Sequence, residues 1–190
     1  MNQTIPWQDV QTQVAPDDST LVLAAQENPA AFQPLYQKWL KPIYRYFYFR
    51  VGNVKDAEDL TSQVFLKAYE DLPRYRHNSS FSSWLFTIAH ARMVDHFRKG
   101  NREITIDKAN LIAGSPDLLT KAVHDHEIMQ LLSLLEKLNY DEQELIHLRF
   151  FGELSYREIG QILHRREDAV RKSVARLLDR LQVELEDYHD

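Results

Sequence analysis

The chain has 190 residues, an apolar fraction of 44% and a formal net charge of −5. These values fit one mid-sized or two small folded domains and exclude a uniformly basic nucleic-acid coat. It has no cysteine, so disulfides and thiolate metal sites are excluded and a cytoplasmic location is expected.

Residues 1–20 are polar, carry Pro6 and Pro16, and lack periodicity. They are expected to form a flexible arm. They have neither the basic start nor the apolar core of a secretory leader. No later run approaches the roughly 20 apolar residues of a bilayer span, so no membrane insertion is expected.

From 21 to 103 apolar residues recur three and four apart, which predicts a dense helical domain. Breaks at Gly52-Asn53, from Pro73 to Ser82 and at Gly100-Asn101 divide it into antiparallel pieces. In the last piece Phe86, Ala89, Met93 and Phe97 form an apolar stripe, while Arg92, His96 and Lys99 form a basic one.

Charge is distributed unevenly. Between Arg74 and Arg102 the single acid Asp95 faces Arg74, Arg76, Arg92, Arg98, Lys99 and Arg102. Such a local basic surface favours phosphate even on an acidic chain. Tyr75, Phe81, Trp84 and Phe86 are interleaved with it, and rings beside cations suit unpaired bases. Trp84 falls in the apolar rhythm of its helix and is expected in the core. Tyr75 and Phe81 lie in the polar break and are the better candidates for contact.

Residues 104–126 lose the helical density and contain Gly114, Ser115 and Pro116, which reads as a linker. A second helical domain is predicted for 127–190. Within it SYREIGQILHRREDAVRKSVARLLDRL has the form of a helix-turn-helix. Ser155 and Glu158 have the spacing of a capping box. Gly160 sits where crossing helices must approach, and His164 to Arg166 form the turn. Val170, Val174, Leu177 and Leu181 give the second helix an apolar back, leaving Arg171, Lys172 and Arg176 outside. That division is what a major-groove recognition helix needs.

No catalytic site, metal site or cofactor is expected. Asp95 and His96 diverge by about 100° on a helix, and His124-Asp125-His126 has no further ligand at a recognisable spacing. Gly-rich phosphate loops and nucleophile motifs are absent.

The chain resembles extracytoplasmic-function sigma factors of the sigma-70 family. DAEDLTSQVFLKAYEDL followed by FSSWLFTIAHARMVDHFRK is similar to that family's second conserved region. LLEKLNYDEQELIHLRFFGELSYREIGQIL is similar to the start of its fourth. The resemblance covers about Leu35 to Glu103 and Leu131 to Gln182. It implies an all-α fold of two small helical domains and a set of roles. Asp56, Asp59, Leu60, Gln63, Val64 and Phe65 would dock on the clamp helices of the largest subunit of core RNA polymerase. Arg74, Tyr75, Arg76, His77, Asn78, Ser79, Ser80 and Phe81 would capture a flipped base of the −10 element, with Arg92, His96, Arg98 and Lys99 holding backbone nearby. Arg165, Arg166, Arg171, Lys172 and Arg176 would meet −35 promoter DNA. The second domain would also bind the polymerase flap tip, and an anti-sigma factor is implied as a further partner.

The chain departs from the family's common pattern. His164 and Arg165 replace a glycine and an apolar residue in the turn, and Asp168-Ala169-Val170 replaces Gly-Thr-Val. A left-handed His164 would cost more than glycine there. The alternative is a free-standing helix-turn-helix regulator, which would leave the loop around Phe81 without a task.

Overall fold

The computed structural model describes residues 17–99, 133–135 and 137–186. The fold is all-α, with no strand among the described residues. Residues 1–16 of the expected N-terminal arm and the whole of the expected linker lie outside them.

The N-terminal module opens with α1 (Asp18–Glu27), which starts three residues before the expected boundary. Asp18 explains the earlier start. Its carboxylate lies in the first helical turn, where the helix dipole favours an anion, and it meets Lys38 at 2.7 Å and Trp39 at 3.3 Å. A 3₁₀ turn (Pro29–Phe32) leads into α2 (Gln33–Val51). The predicted break at Gly52 is a left-handed helix cap with φ of 71°, its N–H donating to the Tyr48 carbonyl at 3.0 Å. Asn53 then caps α3 (Val54–Asp71). Its buried residues, Ala57, Leu60, Thr61, Val64, Phe65 and Ala68, recur at three- and four-residue spacing. After a short 3₁₀ turn (Leu72–Arg74) and a loop, α4 (Phe81–Lys99) returns across α3.

In the C-terminal module Asn139 and Glu142 form a capping box at the start of α5 (Tyr140–Ile146). The helix runs into a π-turn (His147–Phe151). The helix-turn-helix follows as α6 (Tyr156–Ile162) and α7 (Glu167–Glu186). Both halves of the expected Ser155–Glu158 capping box form.

The modules are packed on each other. One apolar cluster runs from Val22 and Phe47 through Phe86 and Met93 to Leu148, Ile159 and Val174. Phe49 of α2 stacks on Phe151 at 4.0 Å between ring centroids, and Gly152 lies against the Phe86 ring.

Candidate nucleic-acid interface

The loop between α3 and α4 is built upward from a buried floor. Tyr75 is 9% and Phe81 3% exposed, packed against each other and against Trp84. The Tyr75 hydroxyl donates to the Ser79 carbonyl at 2.5 Å, closing the loop. Burial and the nearby Asp18 charge raise the Tyr75 pKa, so the phenol remains a donor. From α1, the Gln26 amide donates to the carbonyls of Leu72 and Tyr75 at 2.9 and 2.8 Å. His77 takes a left-handed conformation, with φ of 51°. The result is a braced arch that carries Arg74, Arg76, His77, Asn78 and Ser80 on its exposed side, with Ser79 half-buried.

This arrangement corrects the expected division among the aromatics. Tyr75 and Phe81 are floor, whereas Trp84 is only half-buried. The reason is helical phase. α4 starts at Phe81, so the stripe facing the core runs through Phe81, Leu85, Ala89 and Met93, and Trp84 falls at its flank.

Farther along α4, Phe86 joins that core as expected and Phe97 is half-buried. Arg92 and His96 are half-buried, and Arg98 is exposed but paired with Asp95 at 3.1 Å. Lys99 closes the helix, and its side chain lies outside the described residues.

The expected docking helix needs a second correction. Leu60, Val64 and Phe65 are buried in the module core, so they hold α3 and offer no surface to a partner. Asp56 is half-buried and engaged at the helix start, where its N–H donates to Asn53 Oδ1 at 2.8 Å. The outward side of α3 presents Asp59, Gln63 and Leu66. Leu66, absent from the sequence-derived set, is 61% exposed. Its spacing of seven from Asp59 and three from Gln63 was the signal for it.

In the helix-turn-helix His164 adopts the left-handed conformation with φ of 53°. A Cβ on Gly160 would lie 2.6 Å from the Arg165 carbonyl oxygen, so that position has room only for glycine. Arg165, Arg166, Arg171, Lys172 and Arg176 are all exposed. Arg171 pairs with Glu167 at 2.7 Å and Arg165 donates to Ser173 at 2.7 Å, contacts that fix both guanidinium groups on the outer side of α7.

Sequence reasoning missed the polar residues on the seam between modules. Glu144 of α5 is buried and accepts from Arg50 Nη1 at 2.5 Å, Tyr46 Oη at 2.7 Å and His90 Nδ1 at 2.8 Å. Burial opposes its charge. Hydrogen bonding to His90, the Arg50 cation and the Tyr46 hydroxyl together outweigh that, and its pKa lies below the usual glutamate value. Glu158 of α6 accepts from Ser80 at 2.6 Å and from Ser82 across the same seam, and Ser83 donates to Gln161 at 2.9 Å. Deep burial and the Arg50 charge lower the His147 pKa to about 4. No group of three or more candidate metal ligands occurs among the described residues, and His124 to His126 lie outside them.

The sigma-70 region 2 family model matches residues 35–103, and the sigma-70 region 4 model matches residues 128–181. The ECF RNA polymerase sigma factor BldN of Streptomyces coelicolor is 34% identical over 172 residues, which cover 83% of this chain and 64% of BldN. The RNA polymerase sigma factor YlaC of Bacillus subtilis is 30% identical, over 70% of this chain and 79% of its own length. Among solved structures, CnrH in complex with the cytosolic domain of CnrY matches with a TM-score of 0.67 at 22% identity, covering 90% of this chain and 97% of that one. The sigma factor RpoE of Bartonella quintana, in complex with the anti-sigma factor NepR, matches with a TM-score of 0.62 at 21% identity, covering 82% and 96%. At these identities the two structures establish a shared fold.

Proposed function

The chain belongs to the sigma-70 family, in the extracytoplasmic-function class, and from that membership we propose that it directs core RNA polymerase in the cytoplasm to promoters with −35 and −10 elements. The observation that carries the reading is the pairing, on one chain, of a braced polar arch beside a basic helix with an outward-facing recognition helix.

In this reading the outer side of α3, with Asp59, Gln63 and Leu66, docks on the clamp helices of the largest polymerase subunit. Arg74, Arg76, His77, Asn78, Ser79 and Ser80 surround a base flipped from the opening −10 strand. Flipping costs about a few kcal/mol, offset by pocket contacts and stacking. Trp84, at the edge of the aromatic floor, is the ring closest to solvent for such stacking. Arg92, His96, Arg98 and Lys99 hold neighbouring phosphates. Arg165, Arg166, Arg171, Lys172 and Arg176 engage the −35 major groove, and the flap tip binds the apolar surface of the C-terminal module. An anti-sigma factor regulates the chain, a reading supported by RpoE, which shares this fold and is held in complex with the anti-sigma factor NepR. The protein acts as a targeting factor and contributes no catalytic centre or cofactor.

The net charge of −5 bears on mechanism. An acidic chain binds DNA weakly alone, so affinity comes from polymerase and from two linked sites acting together. A mobility-shift and transcription experiment with purified core polymerase tests this. Weak promoter binding by the chain alone, with strong, salt-sensitive binding and defined start sites once core is added, is the expected result. Tight sequence-specific binding without polymerase, and no start-site selection with it, would instead identify a free-standing regulator.

A further inference from the structure

We propose that Gln26 is a positioning residue for −10 recognition: from α1 its amide sets the conformation in which residues 74–80 meet the flipped base. This rests on the reading of those residues as the −10 contact. The match to sigma-70 region 2 begins at residue 35, so α1 (Asp18–Glu27) lies ahead of it.

Gln26 continues a buried stripe. Val22 and Ala25 are buried in the N-terminal core, and Gln26, one turn beyond Val22, is half-buried beside them. An amide in that place needs partners. It finds two, donating from one nitrogen to the Leu72 carbonyl at 2.9 Å and to the Tyr75 carbonyl at 2.8 Å. Both amide hydrogens are thereby used, so Gln26 acts on the arch from behind and has none left for DNA. The helix that carries it is fixed at both ends. Asp18 holds Lys38 and Trp39 of α2, and the Asn28 N–H closes the last turn on the Ala24 carbonyl at 2.9 Å.

The two carbonyls control the first leg of the arch. They bracket the 3₁₀ turn Leu72–Arg74, where the Leu72 carbonyl also accepts from the Tyr75 N–H at 3.1 Å. Tyr75 leaves that turn extended, with φ of −65° and ψ of 129°. Successive side chains of an extended segment point to opposite sides, so Arg74 and Arg76 are exposed while Tyr75 between them is buried. The Tyr75 carbonyl shares a rigid peptide plane with the Arg76 N–H. Holding the carbonyl therefore sets the direction in which Arg76 leaves the floor.

The arch needs that hold because its apex is strained. His77 is left-handed at φ of 51°, a conformation that a residue with a Cβ keeps only where its surroundings impose it. Two ties impose it here. The Tyr75 hydroxyl on the Ser79 carbonyl closes the arch across its base, and Gln26 fixes the leg from which that phenol extends. Without the Gln26 amide the Tyr75 carbonyl loses its donor, and the strained conformer gives way to a mixture. Only a fraction of that mixture is then ready for the base, and apparent affinity for the base falls by that fraction.

Gln26→Leu removes the amide at nearly constant size, and Gln26→Glu turns an anion toward two carbonyl oxygens. Each full-length variant is assembled with core polymerase and titrated with single-stranded oligonucleotides. These carry the −10 element of a promoter from the start-site experiment, intact or abasic at one position at a time. The affinity ratio of intact to abasic strand separates the base contact from phosphate attraction. Tryptic cleavage after Arg76 in the free chain, scaled to cleavage after Lys67 inside α3, reads local opening of the arch without DNA. Gln26→Leu should lower the ratio at the flipped position about tenfold, keep abasic affinity within about twofold, and raise relative cleavage about tenfold. Gln26→Glu should lower the ratio at least as far. A wild-type ratio that both variants preserve overturns the positioning role even if Tm falls, because a merely structural role lowers stability and leaves base discrimination intact. Unchanged relative cleavage after Arg76 overturns it as well. Faster cleavage in the variants, with a wild-type chain that distinguishes no abasic position, leaves the brace on the arch standing and overturns the −10 reading.

Discussion

Replacing Gly160 with alanine sets two known effects against each other. In a helix, alanine is ordinarily favoured over glycine by about 1 kcal/mol. Gly160 is inside α6, and the left-handed region among described glycines is occupied only by Gly52, so backbone freedom is not what position 160 needs. What it needs is space. The added Cβ would meet the Arg165 carbonyl oxygen at 2.6 Å, about 0.8 Å inside ordinary contact. That oxygen belongs to the turn backbone and cannot rotate aside as a side chain would. The turn is also tied to α6 through the Arg165 N–H on the Gly160 carbonyl at 2.8 Å. Overpacking of this kind costs about 1–3 kcal/mol, with a rigid neighbour at the upper end. The clash therefore outweighs the propensity gain, for a net loss of about 2 kcal/mol. In a chain of this length that lowers Tm by about 4–8 °C. Thermal unfolding by circular dichroism measures it. Because the strain relaxes by rotating α7 away from α6, discrimination between −35 variants should weaken in parallel. An unchanged or raised Tm for Gly160→Ala would refute the space argument.

Other perturbations have equally definite outcomes. His147 is held neutral with a pKa of about 4 against an ordinary 6.5, chiefly by burial and by Arg50 from α2, with Glu144 from α5 acting in the opposite sense. Its contribution is complete above pH 6.5 and is lost as pH falls toward 4, because the unfolded chain takes the proton first. Urea unfolding at pH 5 should therefore show about 2 kcal/mol less stability than at pH 7.5, and equal values would contradict the assignment. Leu66→Asp changes an exposed position, so stability should hold within about 0.5 kcal/mol while affinity for core polymerase drops. Unaltered affinity in a pull-down titration would remove α3's outer side from the docking surface. Arg171→Ala breaks an exposed pair with Glu167 that is itself worth little, but it should cost about 1–3 kcal/mol of −35 discrimination. Identical promoter ranking by wild type and variant would exclude Arg171 as a base contact.

What the sequence by itself determined about this protein was whatever depends on neighbours along the chain. The Ser155–Glu158 capping box, the left-handed His164, the tight Gly160 and the apolar back of α7 all involve residues within a few positions of one another, where spacing translates directly into geometry. Helical periodicity likewise located the stripe of α4 through Phe86, Ala89 and Met93. Periodicity states which side of a helix is apolar, however, and not what that side faces. It could not separate Leu60, Val64 and Phe65, spent on the module's own core, from Leu66 on the outside. Nor could it rank Tyr75, Phe81 and Trp84, whose exposure turned on where α4 begins. Tertiary structure alone decided the seam. Tyr46 and Glu144 are 98 positions apart and Ser80 and Glu158 are 78 apart, and nothing local marks either glutamate as a partner. A buried carboxylate is chosen by the donors that folding carries to it, and those come from wherever the chain passes.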